Sequence, residues 1–139
     1  MIKQVSIFVE NEPGSLMNVT KALAEAHINI RAFAAFDTPE FGILRLVVDK
    51  PNEAKEKLTS QGFVVRVHDV IGVELVDEKG QLNNMLEKLA AANVNMNYIY
   101  SFVIRDNKSP IMVLNTDNCE KATKILTDEG INMIEEDDL

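Results

Sequence analysis

Between Gln4 and Glu10 the stretch "QVSIFVE" alternates apolar and polar residues with period two, which predicts a strand with one buried face. From Pro13 the spacing changes. Leu16, Val19, Leu23 and Ala26 recur at three and four, while Asn18, Lys21 and Glu25 point away. That is a helix opening on a proline, whose missing N–H the first helical position does not use. "INIRAFAAF" and "FGILRLVVD" are apolar or β-branched runs on either side of the turn residues "DTPE", so they predict a hairpin. "PNEAKEKLTSQG" starts on Pro51, puts Ala54 and Leu58 on one face and stops at Gly62, where a left-handed cap costs little. "FVVRVHDV" predicts a fourth strand.

The same pattern then runs again. An offset of 66 residues carries Gly14 onto Gly80, and with it Val5, Ile7 and Val9 onto Ile71, Val73 and Leu75. Glu12 meets Glu78, Leu16, Leu23 and Ala26 meet Leu82, Leu89 and Ala92, and "HINI" meets "NVNM". Beyond the hairpin the offset becomes 68, and Ala54, Leu58 and Gly62 meet Ala122, Leu126 and Gly130. The second set of elements reads "IGVELVD", "GQLNNMLEKLAAAN", "VNMNYIYSFVI", "PIMVLN", "NCEKATKILTDEG" and "INMIEE". Two modules follow, residues 1–69 and 70–139.

Each has the order β-α-β-β-α-β, so the expected class is α+β: two ferredoxin-like modules, each an antiparallel sheet with helices on one face. Almost no linker separates "FVVRVHDV" from "IGVELVD", which rules out beads on a flexible tether. Small modules with exposed sheet edges gain by pairing them, with a sister module or with another chain. The expectation is modules side by side in one eight-stranded sheet, and a homodimer.

Composition narrows the partners. The 139 residues carry 14 Lys and Arg against 22 Asp and Glu, a formal charge of -8, which opposes binding to a phosphate backbone; no nucleic-acid partner is expected. No apolar run approaches the roughly 18 residues of a membrane span and no leader pattern opens the chain, so no membrane partner and a cytoplasmic location are expected. Cys119 has no second cysteine for a disulfide or zinc site and reads as a structural thiol on a helix. His27 and His68 stand apart, so no metal and no cofactor are expected. The closing "EEDDL" reads as a solvated, frayed tail.

At "VENEPGSLMNVTKALAEAHINI" the chain resembles the ACT domain, a ferredoxin-like regulatory module of amino-acid metabolism. Both halves share the resemblance. Its most specific part is Asn-x-Pro-Gly-x-Leu at Asn11, Pro13, Gly14 and Leu16, followed by a helix that ends in Ile28-Asn29-Ile30, as in the regulatory domain of phosphoglycerate dehydrogenase. The resemblance implies an amino acid bound where two modules meet, between the strand-to-helix loop of one and the helix exit of the other. Carried across, the ligand residues are Asn11, Glu12, Pro13, Gly14, Ser15 and Leu16 with Asn95, Met96, Asn97 and Tyr98. A weaker site joins Asp77, Gly80, Gln81 and Leu82 to Asn29, Ile30 and Arg31. An amide serves a zwitterion because it offers both a donor and an acceptor without a charge to desolvate. Gly14 lets a ligand approach the backbone, and free N–H groups of the first helical turn favour a carboxylate. Two departures from that pattern stand out: Val9 and Leu75 occupy the position of a family histidine, and the second loop has Asp77 and no proline.

Each of these residues also has a plainer reading. "NEPGSL" serves as a simple helix start. Asn29 and Asn95 serve as helix exits tolerant of left-handed φ. Tyr98, Tyr100 and Phe102 serve as sheet-face packing, preferred here over a pocket lining. Arg31 serves as a counter-charge to the chain's own acids. The functional expectation is a non-catalytic amino-acid sensor acting in trans on an enzyme or regulator of amino-acid metabolism. The alternatives are a ligand-free assembly subunit of such an enzyme, and a small ferredoxin-like enzyme; no nucleophile, phosphate loop or metal cluster supports the latter.

Overall fold

The computed structural model describes residues 1–37, 41–102 and 109–139. The "DTPE" turn beyond Asp37, and Val103 and Ile104 at the end of the expected "VNMNYIYSFVI" strand, lie outside the described residues. The chain divides into two compact units, Lys3–Asp69 and Met1–Ile2 with Val70–Leu139.

The N-terminal unit contains β1 (Ile2–Glu10, from Lys3 on), α1 (Ser15–Glu25), β2 (Ile30–Asp37), β3 (Phe41–Val48), α2 (Pro51–Ser60) and the first part of β4 (Val64–Glu74). Its strand order is β2-β3-β1-β4. The antiparallel register puts Val5 opposite Leu46 and Ile7 opposite Leu44. These side chains share one face, and that face packs on Val19, Ala22 and Leu23 of α1 and Ala54 and Leu58 of α2. The apolar stripe of α1 therefore sits where its spacing places it, except at its first member. Leu16 is 45% exposed, and its counterpart Leu82 is 42% exposed, so neither is a core residue.

The C-terminal unit repeats the plan with the rest of β4, then α3 (Gln81–Ala91), β5 (Met96–Ser101), β6 (Ile111–Thr116), α4 (Cys119–Asp128) and β7 (Asn132–Ile134). β4 pairs with β6 on one side and β7 on the other, and β5 pairs with β6. The core gathers Ile71, Val73 and Leu114 from the sheet with Met85, Leu89, Ala122 and Leu126 from the helices. Each unit is thus a four-stranded antiparallel sheet with two helices on one face.

Three expectations change at this level. The strands expected at 63–70 and 71–77 are one strand, β4, giving seven strands among the described residues; Asp69 and Gly72 stand singly in "VVRVHDVIGVE", with no proline and no cluster of turn residues to end the strand. Gln4 and Ser6, polar positions of an alternating strand, are buried at 0% and 7% exposure. The Gln4 amide donates to Ser6 Oγ (2.9 Å) and lies 3.2 Å from His68 Nε2, so its burial leaves no polar group stranded. The tail "EEDDL" is ordered: Glu136–Asp138 form a 3-10 turn closed by a capping box between Glu135 and Asp138, and the Glu135 carboxylate meets the amino group of Met1.

The four α-helices among the described residues end alike. After α1, the His27 N–H donates to Ala24 O (3.0 Å) and the Ile28 N–H to Leu23 O (3.0 Å), a Schellman motif with His27 at φ 57°. Asn93 repeats it after α3 at φ 60°, and Gly62 and Gly130 after α2 and α4.

Candidate functional site

The junction between β1 and α1 is built by two consecutive turns. The Glu12 N–H donates to Glu10 O (3.0 Å), a three-residue turn over Asn11, and the Ser15 N–H donates to Glu12 O (3.2 Å). In the second turn Pro13 takes the first central position and Gly14 the next, at φ 87° and ψ -8°. That is a type II turn, which requires positive φ where the glycine stands. Pro13 therefore belongs to the turn and not to the first helical position, because the left-handed residue that follows it cannot be helical; α1 starts at Ser15.

A glycine N-cap has no side chain to close the helix. The first intrahelical bond runs from Asn18 N–H to Gly14 O (2.9 Å), no side chain caps the end, and the first turn holds no acidic residue. The Leu16 and Met17 N–H groups are left pointing out of the helix start with its partial positive charge. α4 shows the contrast, since Asn118 Oδ1 accepts from Lys121 N–H (3.0 Å) and closes that end.

Beside the junction lies a hollow of about 250 Å³. Asn11, Glu12, Ser15 and Leu16 line it from the junction, Val9 and Glu10 from β1, Ala35, Phe36 and Asp37 from β2, and Gly42 and Ile43 from β3. A neighbouring hollow of about 350 Å³ shares Glu10, Glu12 and Ser15 and opens toward Asn18, Gln61 and Val64. Three carboxylates, Glu10, Glu12 and Asp37, line the first hollow together with Ser15 and Leu16 of the helix start. Glu12 is raised from its ordinary value, first by the hydrogen bond its carboxyl shares with Glu10, then by the Glu10 charge and by desolvation. A wall of shared carboxylates suits an ammonium group; open helix N–H groups suit a carboxylate.

The sequence singled out Asn11, Glu12, Ser15 and Leu16, and these meet in the hollow, with Pro13 and Gly14 forming the turn beneath. Glu10, Phe36 and Asp37 were not singled out. The signal for them was the ferredoxin-like strand order, which sets β3, and beyond it the β2 end of the hairpin, beside β1. Asn29, Ile30 and Arg31 lie at the other end of α1, a helix of 11 residues and so roughly 16 Å long. Within one unit they cannot share a small ligand with Asn11.

The helix exit is fixed by two hydrogen bonds to Asp49. Asn29 N–H donates to Asp49 Oδ1 (2.9 Å) and Asp49 N–H to Asn29 O (3.1 Å). The left-handed residue is His27, so the reading of Asn29 and Asn95 as left-handed exits is overturned: the Schellman closure falls two residues earlier. Arg31 forms no ion pair among the described residues, so its plainer role is not seen either.

The C-terminal unit carries the second set. Gln81 N–H donates to Glu78 O (3.4 Å) around Lys79 and Gly80 (φ 86°, ψ -2°), and Asp77 takes the place of Asn11 in a turn closed by Glu78 N–H to Val76 O (2.8 Å). Asn95 N–H donates to Asp117 Oδ1 (3.0 Å). Here the amides are engaged: Asn95 donates to Asn97 Oδ1 (3.4 Å), and Asn97 donates to Asn115 Oδ1 (2.8 Å). Tyr98 stacks on Tyr100 at 6.3 Å, and Tyr100 is buried, so these rings pack on the sheet.

A family model for an ACT domain pair matches residues 1–139. The chain belongs to that family. This ACT pair is also similar to the crystal structure of protein BT0572 from Bacteroides thetaiotaomicron, with 33% identity over 99% of this chain and 94% of that one and a TM-score of 0.90. The regulatory subunit of aspartate kinase from Thermus thermophilus, in its ligand-free form, shares the fold at 20% identity, 91% and 90% coverage and a TM-score of 0.61. That from Thermus flavus does so at 18%, 91% and 90%, and 0.60. No curated protein matches. No helix among the described residues is long and apolar enough to cross a membrane.

Proposed function

We propose that this ACT pair is a non-catalytic regulator that binds a free amino acid at the Asn11 junction and acts in trans on an enzyme or regulator of amino-acid metabolism. The observation that carries the reading is the juxtaposition at one hollow of an uncapped helix start, an amide and a carboxylate wall. The ligand carboxylate takes the Leu16 and Met17 N–H groups, the Asn11 amide bridges, and the ammonium lies toward Glu10, Glu12 and Asp37. Because a helix separates the junction from the exit at Asn29, the remaining contacts come from the exit of an opposing module, Asn95 to Tyr98 or Asn29 to Arg31. The Asp77 junction, with Gly80, Gln81 and Leu82, forms the poorer counterpart, since a carboxylate there repels the ligand's own.

Regulation follows from differential affinity: a ligand that binds one arrangement of modules more tightly shifts the population toward it, by no more than that difference. The placement of the regulatory fold in aspartate kinase subunits supports an enzyme partner, and a homodimer provides opposing modules. Calorimetry of the full chain against the twenty amino acids tests the site. One of them is expected to bind, with affinity reduced about tenfold in Asn11→Ala, the loss of roughly one hydrogen bond to a charged group. Binding unchanged in Asn11→Ala, and also in Asn95→Ala and Asn29→Ala, overturns the assignment.

A further inference from the structure

We propose that the helix-free face of the N-terminal sheet, at its junction end, docks a segment of a partner protein in which apolar side chains alternate with carboxylates. The β1–β3 and β2–β3 registers put Phe8, Phe36 and Phe41 on that face, away from the core that packs on α1 and α2. Val64 of β4, out of step with Val65 and Val67 of the core, joins Phe8 at the second hollow. These four large apolar side chains are between 37% and 60% exposed. They are also contiguous. The Phe8 and Phe41 rings lie 6.0 Å apart, Ile43 stands between Phe36 and Phe8 in the ladder, and the Arg45 guanidinium sits 4.9 Å over the Phe36 ring.

A contiguous apolar patch rimmed by polar groups marks an interaction surface. The framework does not ask for this one. At the repeat offsets Phe8 and Val64 become Glu74 and Asn132, which face each other across the ladder and hydrogen-bond, Asn132 Nδ2 donating to Glu74 Oε1 at 3.3 Å. Phe41 becomes Ser109. The same fold therefore closes this end of the C-terminal sheet with polar groups, and the apolar side chains of the first sheet serve something other than the fold.

Charge chooses the occupant. The chain carries -8, yet Arg45 and Arg66 stand on this face, and Glu10 is the one carboxylate that alternation adds to it among the described residues. His68, on the same face, is held below its ordinary 6.5 first by burial and then by the Arg45 charge, with Asp69 opposing and Arg66 adding, so both arginines stand near it. Arg66 is exposed and forms no ion pair among the described residues. Aromatic rings beside arginine are the composition of interface centres. Two copies of this face laid together would set arginine against arginine, and a second copy offering a different, acidic surface would make a contact that does not close. The occupant is therefore a partner that brings carboxylates on an apolar ground. Phe36 and Ile43 also line the hollow at Asn11, so a ligand there touches the ring that the partner covers. That link rests on the amino-acid reading, whereas the docking face rests only on action in trans.

Fluorescence anisotropy of the ligand-free full chain tests the face with three short labelled synthetic peptides: leucine alternating with glutamate, leucine with lysine, and serine with glutamate. The leucine–glutamate peptide is expected to bind, more weakly as salt rises, and the other two at least about tenfold less tightly. Phe8→Glu with Val64→Asn writes the polar pair of the C-terminal sheet into the first and should weaken that peptide about tenfold or more. Arg66→Glu, at an exposed position that leaves the fold alone, should weaken it similarly and reduce its salt dependence. No binding of the leucine–glutamate peptide, equal binding of all three, or binding that both variants leave unchanged overturns the proposal. An oligouridylate that binds more tightly than the peptide, or a sedimentation coefficient that Phe8→Glu with Val64→Asn lowers, overturns it too, by giving the face to RNA or to a second copy. Amino-acid calorimetry on the same chain reports separately on the Asn11 site, so the failure of either reading is seen by itself.

Discussion

The two strand-to-helix junctions differ in sequence and agree in geometry. Glu12-Pro13-Gly14-Ser15 and Glu78-Lys79-Gly80-Gln81 form the same type II turn, with the glycines at φ 87° and 86°, although a lysine replaces the proline in the second. The residue that dictates the turn is thus the glycine, which alone meets the left-handed requirement without strain. The proline only restricts a backbone that would adopt the turn anyway. What does differ is chemical. Asn11 faces Asp77 in the alignment, the exit amides are tied together in the C-terminal unit, and at the repeat offset the buried polar Gln4 and Ser6 become Val70 and Gly72. Duplication kept the frame and released the side chains.

The largest effect that probes this equivalence comes from the glycines. A Cβ at Gly14 or Gly80 meets nothing within 4 Å, so Gly14→Ala and Gly80→Ala each cost only the conformational term, about 1–2 kcal/mol in denaturant unfolding. Pro13→Lys, which copies the second junction into the first, should cost under about 1 kcal/mol. A proline variant more damaging than the glycine variant would reverse the assignment of roles.

The helix exits separate two residue types at one conformation. His27 and Asn93 hold φ 57° and 60°, and asparagine tolerates that region better. His27→Gly is expected to stabilise the chain by roughly 0.5–1 kcal/mol and Asn93→Gly by less, read from the same denaturation midpoints. Equal gains would mean that the side chain does not matter there.

The smallest effect sharpens the contrast on the helix-free side of the first sheet. His68 is held below its ordinary value of 6.5, chiefly by burial and then by the Arg45 charge. The unfolded chain therefore binds the proton more readily, and stability present above pH 6.5 is lost as pH falls through that value toward the lower folded one. His68→Gln should flatten that acid slope, measured as the melting temperature between about pH 7 and 5. An unchanged slope would place the acid sensitivity elsewhere.

The sequence by itself determined the duplication, the order of elements in each half, the helix faces and the glycines at the junctions. The duplication follows from the offsets of 66 and 68 residues, and the rest from periods of two and 3.6 residues and from backbone requirements of single positions, all local. It also named the Asn11 junction, through residues contiguous in the chain. Only the tertiary structure decided that 64–74 is one strand, that Gln4 and Ser6 are buried, and that Glu10, Phe36 and Asp37 stand around the same hollow as Asn11. Alternation tells which side chains share a face of a strand; what lies against that face is set by partners tens of residues away, whose packing no local pattern encodes.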